Sequence, residues 1–315
     1  MPMTMMALSR LPDAVEPASD RLMMTSSVQS GAVQLPEMAD TEHFQFSDRG
    51  FEPIVVESME IRLARTPAEI LASQRLRYEV FYEEMGATPI RQMAELRRDY
   101  DAYDRYCDHL LVFDRRRPEG AQVVGTYRLI TRDVAKQMGQ FYSASEYDIS
   151  KILDYPGELL EFGRSCVMRS YRTFPVMQLL WRGIAAYIFT HQVEMMFGCA
   201  SFPGQDVQAL REPLSFLYHH HLAPIEQRAV CLPEHYVDMN LLPAEQVHTK
   251  SALNNLPPLI KGYLRLGAWV GDGAYIDRQW NSIDVFILVK TDKITPKYME
   301  HYGLSGVGND PLLTE

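Results

Sequence analysis

The run Leu159-Leu160-Glu161-Phe162-Gly163-Arg164-Ser165-Cys166-Val167 constrains the fold of this chain more than any other segment. It reads as a buried strand carrying one carboxylate and one guanidinium. Charges rarely go inside a protein unless they are paired or used. Glu161 and Arg164 are three residues apart, so on a regular strand they point to opposite faces unless the strand ends or bulges at Gly163. From Phe162 to Val193 there is no Asp or Glu, yet Arg164, Arg169, Arg172 and Arg182 fall inside. In a chain of formal net charge -10 that is a local reversal of sign. A base in a strand beside a cationic entrance points to transfer chemistry on a donor that is anionic or borne on an acidic protein.

The acidic balance argues against nucleic-acid binding, which needs a basic footprint. Cys107, Cys166, Cys199 and Cys231 show neither CxxC pairing nor zinc spacing, as expected of a reduced, cytosolic protein. The Met-rich N-terminus has no apolar stretch long enough for a signal peptide. No window approaches 18 uninterrupted apolar residues, so no spanning segment is expected. The 315 residues suffice for one large domain or two smaller ones.

Residues 1–52 read as a disordered acidic tail, with no persistent apolar period. Order is expected from Ile54-Val55-Val56, with a strand at Ile61–Arg65. Thr66-Pro67-Ala68-Glu69 combines a cap, a proline suited to the first helical position and a capping-box acid. The helix should run to about Met85, with Arg77 and Phe81 on one face. Residues 86–108 read as a polar, mobile loop. His109–Asp114 and Gln122–Ile130 form a hairpin across Arg115-Arg116-Arg117. A linker with short helical pieces leads to the Glu161 strand. A helix over Thr173–His191, a strand over Met195–Phe202 and a helix over Asp206–His219 follow, then strands at Ile260–Val270 and Ile283–Val289. The order gives a mixed α/β fold with a largely antiparallel sheet and helices on both faces.

Several features look chemical and are better read as structure. His109 and Asp114 spell H-x-x-x-x-D, but five positions along a strand put them on opposite faces, where they cannot share a proton. His219, His220 and His221 are consecutive, so a helix cannot aim all three at one ion, and no metal is expected. Cys166 lacks a nearby His partner and reads as packing. Most methionines read as core or tail, with Met168, Met177, Met195 and Met196 as candidates to line an acyl tunnel.

Four pieces, in order over about residues 60–200, carry a family resemblance: Arg77-x-x-Val80-Phe81, Asp99-x-Asp101-x-x-Asp104, Gly125-Thr126-Tyr127-Arg128-Leu129 and Glu161-Phe162-Gly163-Arg164. With Phe197–Phe202 and Pro257–Ala268, they make the chain resemble the ornithine N-acyltransferases of ornithine-lipid synthesis. These are GNAT-type enzymes that use acyl carrier protein, and they are similar to the acyl-homoserine-lactone synthases. The resemblance implies a GNAT-like core over 53–205, a C-terminal α/β extension over 206–300 that completes the acceptor site, and a loose tail over 301–315. It implies that Glu161 orients or deprotonates the acceptor amine, with Arg164 as its catalytic companion. Arg77, Phe81, Asp99, Asp101, Asp104 and Arg128 would then bind substrate and organise a lid over the acyl chain.

Ser170-Tyr171-Arg172-Thr173-Phe174-Pro175 has no glycine to close backbone N–H groups on a diphosphate, which disfavours CoA. It suits a carrier-protein thioester docked on Arg169, Arg172 and Arg182, with L-ornithine as acceptor and no cofactor. The distal ammonium of ornithine calls for an acid outside the core, for which Asp272, Asp277 and Asp284 are candidates. The expected place is the cytoplasm, with weak peripheral membrane contact. The alternatives are a lactone-type signal synthase, a glutamine or lysine N-acyltransferase, and a haemolysin-like membrane-active protein. About 100 residues beyond the core speak against the first, and the lack of an amphipathic basic helix speaks against the last.

Overall fold

The computed structural model of the chain describes residues 44–47 and 50–293. The tails expected at 1–52 and 301–315 lie outside the described residues, apart from 44–47 and 50–52. Within those, Phe51 is buried in the core and the Gln45 N–H donates to the Arg105 carbonyl at 2.8 Å.

The first elements are β1 (Ile54–Val56), β2 (Met59–Leu63), α1 (Pro67–Tyr78), α2 (Arg91–Leu96), β3 (Asp108–Asp114), β4 (Val123–Thr131) and α3 (Arg132–Met138). Then come β5 (Tyr147–Asp148), α4 (Ser150–Leu153), β6 (Glu158–Val167), α5 (Phe174–Thr190), β7 (Val193–Pro203) and α6 (Arg211–His221). The last are β8 (Val230–Cys231), β9 (Tyr236–Val237), α7 (Thr249–Asn255), α8 (Pro258–Arg265), β10 (Trp269–Asp277) and β11 (Ser282–Lys290). One sheet runs β1-β2-β3-β4-β6-β7-β11-β10-β8-β5, with β9 on β10. Its pairs are antiparallel except β6–β7 and β8–β10. This is the mixed, GNAT-like α/β architecture expected, and the C-terminal hairpin β10–β11 extends the same sheet.

β3 and β4 are buried at every position, the pattern of strands covered on both faces. Leu110 and Val112 join the cluster that includes α5, whereas Leu111 and Phe113 join the one that includes α1. The two helices therefore cover opposite faces. Thr66 caps α1 by accepting the Glu69 N–H at 3.3 Å, and Pro67 occupies the first turn as expected. Past Tyr78 the helix widens into a π-helical segment, Glu79–Glu84, a distortion frequent at functional sites.

Three expectations need correction. The strand read at Ile260–Val270 is α8 followed by β10. Pro258 starts the helix, Ile260 and Tyr263 form its buried face, and Gly267, at φ +83°, ends it with N–H bonds back to the last turn. Residues 86–108 are built rather than irregular: they hold α2 and a short 3₁₀ turn, Ala102–Arg105, with Asp99 and Asp104 buried. Met195 and Met196 alternate on β7 into the separate clusters on either side of the sheet, so they cannot line one tunnel.

Candidate active site

Arg77, Asp99, Arg164, Asp101, Arg128 and Asp104 form a closed ring of alternating charge. Arg77 Nε meets Asp99 at 2.8 Å, Arg164 meets Asp99 and Asp101 at 3.2 Å each, and Arg128 meets Asp101 at 2.6 Å. Arg128 also meets Asp104 at 3.1 Å, and Asp104 returns to Arg77 at 2.5 Å. Each cation serves two anions and each anion two cations, so six charges cancel with Arg77 and Arg128 essentially inaccessible. Burial opposes ionisation of Asp104, yet Arg77 and Arg128 hold its carboxyl well below the usual carboxylate range. Gln74 and Tyr82 add donors to Asp104 and Asp99.

A β-bulge puts Arg164 in this ring. Arg128 pairs with Gly163 and Thr126 with Cys166, so Arg164 and Ser165 together face Tyr127, and Arg164 takes a left-handed φ of 49°. The bulge brings its guanidinium to the face of Arg128 and Glu161, 4.9 Å from the Tyr142 ring and 4.5 Å from the Trp280 ring. Trp280, in the β10–β11 turn, also packs edge-on against Phe81 at 5.3 Å. Phe81 thus touches the ring's wall rather than its charges.

Glu161 is 2% exposed. The Tyr142 N–H donates to its Oε2 at 2.6 Å, and the Ser143 N–H to its Oε1 at 2.7 Å, with the Ser143 hydroxyl donating as well. These donors are the start of the 3₁₀ turn Tyr142–Ser145. Burial nevertheless pushes the Glu161 pKa up to about 7, against the pull of those donors. Glu161 also occupies the last paired position of the parallel ladder, opposite Phe197. Beyond it β6 continues against β4 and β7 against β11, so the sheet splits. At Gly198 the strands are still so close that a Cβ would run into the Phe162 carbonyl.

Past the split lies a second group of acids. One carboxylate oxygen each from Glu146, Asp277 and Asp284 lies within 4.8 Å of the others. Burial, then the neighbouring Asp284, pushes Glu146 up to about 8. Burial pushes Asp284 up to about 6 despite donors from Ser201 and Ser282, and raises Asp277 too. Asp272 stands apart, accepting from the Tyr236 hydroxyl at 3.3 Å. Asp104, Cys107 and His109 have a spacing that also could hold a metal, but Asp104 is spent on the ring and its carbonyl holds His109 Nε2 at 2.9 Å.

A family model described as acetyltransferase (GNAT) domain matches residues 76–182. Over 250 residues the chain is 46% identical to the L-ornithine N(alpha)-acyltransferase of Agrobacterium fabrum, spanning 78% of this chain and 85% of that one. The protein of the same name from Rhizobium meliloti is 46% identical over 252 residues, 79% of this chain and 85% of its own. The chain belongs to the GNAT acyltransferases. Among solved structures, the AHL synthase LasI aligns with 77% of this chain and 95% of its own at 12% identity and a TM-score of 0.41.

In this acyltransferase the three arginines expected to dock a carrier protein are not equivalent. Arg169 is exposed in the turn before α5. Arg172, beside it, grips the Glu84 carboxylate with both terminal nitrogens and donates to the Val167 carbonyl at 3.0 Å. Arg182 is half-buried about 12 Å further along α5 at 1.5 Å per residue, so it does not share their patch. His109 and Asp114 have separate partners, Asp114 being held by Arg116 and the Tyr171 hydroxyl. Sequence reasoning missed Tyr142, Ser143, Glu146 and Trp280. Glu146 alone left a signal, as an acid directly before the apolar alternation Tyr147-Asp148-Ile149.

Proposed function

We propose that this acyltransferase moves a 3-hydroxyacyl group from the thioester of acyl carrier protein to the α-amine of L-ornithine, giving lyso-ornithine lipid. The observation that carries the chemistry is Glu161, a buried carboxylate with a pKa of about 7 at the last rung before the sheet splits. An α-ammonium titrates near ~8, so such a base accepts its proton with little uphill cost. Glu161 takes that proton directly or through the Ser143 hydroxyl. The amine then attacks the thioester carbonyl, the C–S bond breaks, and the thiolate leaves and is protonated. The extended thioester arm fits the split, where the edges of β6 and β7 offer backbone partners, and an N–H there meets the oxyanion. Burial pushes the Cys166 thiol up, so it stays protonated and no covalent enzyme intermediate enters.

Ornithine as acceptor is supported by the identity to proteins named for it. Carrier protein as donor is supported by the glycine-free turn at 170–175 and the cations Arg169 and Arg172. The reaction is assigned to the cytoplasm, in weak peripheral contact with the membrane. No helix among the described residues is long and apolar enough to cross one. The test is mass spectrometry of the products formed by purified protein with ornithine and either 3-hydroxyacyl carrier protein or the matching acyl-CoA. Acyl-ornithine from the carrier-borne donor is expected. No acyl-ornithine from either donor overturns the reading.

A further inference from the structure

The cluster Glu146–Asp277–Asp284 has no part in the proton and acyl transfer above. Glu146 directly follows the Tyr142–Ser145 turn whose first N–H groups hold Glu161. Asp284 stands on β11 opposite Ser201 of β7, and Asp277 closes β10. Glu146 and Asp284 are 5% and 7% exposed, and Glu146 Oε2 and Asp284 Oδ1 have no hydrogen-bond partner. A buried carboxylate oxygen without a donor is expensive, and three carboxylates this close cannot all ionise without a counter-charge. The groups facing them are Cys199 and Ser201 from β7, Ser282 from β11, Tyr275 from β10, Tyr147 from β5, Cys231 from β8, Glu161 from β6 and His235 beside Asp277. Arg164 acts on Asp277 and Asp284 from a distance, but its hydrogen bonds go to Asp99 and Asp101.

We propose that Glu146, Asp277 and Asp284 seat the primary ammonium at the distal end of the amino-acid acceptor. This assignment rests on the function proposed above and adds the residues that select the acceptor. An alkylammonium has three N–H donors and no acceptor, which matches the donor-free oxygens of Glu146 and Asp284. Asp277, whose Oδ1 already accepts the Trp280 N–H at 2.9 Å, is the third carboxylate. Oxygens bonded to one tetrahedral ammonium at about 2.8 Å stand about 4.6 Å apart, compatible with three carboxylate oxygens that all lie within 4.8 Å of one another. The position suits an acceptor reacting at Glu161. The Ser143 hydroxyl touches Glu161 and lies 3.6 Å from Cys199 Sγ, and Cys199 in turn adjoins Glu146. Two side chains therefore separate the base from the acids, along the single face of the sheet shared by Glu161, Cys199, Ser201 and Asp284.

The test compares ornithine with norvaline, which has the same carbon chain without the ammonium, in the wild type and in Glu146→Gln and Asp284→Asn. Wild type should favour ornithine by at least tenfold in kcat/KM. Each variant should raise the KM for ornithine tenfold or more, change kcat at saturation much less, and leave norvaline within about twofold. These neutral replacements remove like-charge repulsion, so thermal melting should show variants at least as stable as wild type. As a second readout, ornithine should raise the melting temperature of wild type but not of Asp284→Asn, and norvaline should raise neither. If wild type acylates ornithine and norvaline equally, or the variants lose both alike, the subsite is wrong while the reaction stands. If ornithine use requires a divalent ion that the variants no longer bind, the cluster is a metal site and the proposal is overturned. If wild type acylates norvaline but not ornithine, both the subsite and the acceptor reading fall.

Discussion

Two groups of three carboxylates stand on either side of the candidate base, and the protein treats them in opposite ways. Asp99, Asp101 and Asp104 are matched one for one by Arg77, Arg128 and Arg164. Glu146, Asp277 and Asp284 have no such set of guanidiniums, and two of their oxygens have no donor at all. A group that completes itself is a fastener. One left incomplete in a dry place is waiting for a proton or a cation. The contrast appears directly in acidity: neighbouring arginines hold Asp104 down, whereas burial and the Asp284 charge push Glu146 up.

Breaking the self-completed group should have the largest effect. Arg77→Met leaves Asp99 and Asp104 short of a partner in a buried site, and should cost about 3–5 kcal/mol. Urea unfolding measures it, and a loss below about 1 kcal/mol would mean the ring fastens nothing. Next comes Glu161→Gln, expected to lower kcat by roughly 10²-fold, the range for a lost general base. In wild type, activity should rise with pH through about 7 as Glu161 loses its proton, and the variant should lack that limb. If instead the variant melts earlier but keeps the limb, Glu161 serves to hold the Tyr142–Ser145 turn through its three donors.

The two groups should also give stability opposite slopes in pH. Stability from the depressed Asp104 is present above the unfolded carboxyl pKa and lost as pH falls through the folded value. The raised acids act in the other sense. Their contribution is complete below the unfolded pKa and lost as pH rises through about 6 for Asp284 and about 8 for Glu146. Asp284→Asn should therefore gain on the order of 1–3 kcal/mol over wild type at pH 9, and little at pH 4. An equal gain at both would show that Asp284 is not the titrating group.

The smallest effects belong to the exposed arginines. Charge reversal at Arg169 or Arg172 should raise KM for a carrier-borne donor severalfold while leaving a small thioester unchanged, and added salt should reproduce it. The partly exposed Arg172–Glu84 pair should contribute only ~0–1 kcal/mol to stability. Arg182→Glu should not alter donor preference, and a loss matching that at Arg169 would reunite the patch.

The longer elements between residues 59 and 203 were legible because each announces itself by period or cap, as with Thr66-Pro67 before α1 and the apolar run of β3, whereas α2 lay hidden in a polar segment read as a loop. The ring was legible only as separate pieces. Its closure depends on the bulge at Arg164, and nothing in Gly163-Arg164-Ser165 says which way a bulge will turn. Pro257-Pro258 carried a helix start that the Leu and Ile content after it obscured. The acid cluster was half legible. Asp277 and Asp284 were named as candidates for the distal charge, but Asp277 lay beyond the strand read at Ile260–Val270. Glu146 reaches them from a segment read as linker, and contacts across more than 130 positions leave no local mark.

The ring has one more consequence, for how the chain comes apart. Its charges arrive from α1, the 99–104 segment, β4 and the β6 bulge, joining residues 22 to 65 positions apart. With any one of these segments absent, the others hold unpaired charge in a poorly solvated place. Half-built versions are therefore costly, and the ring behaves as a latch that is either shut or open. The 99–104 segment, α1, β4 and β6 should unfold together rather than fray one by one. Hydrogen exchange should show a single shared opening for the amides of Arg77, Asp104 and Arg128.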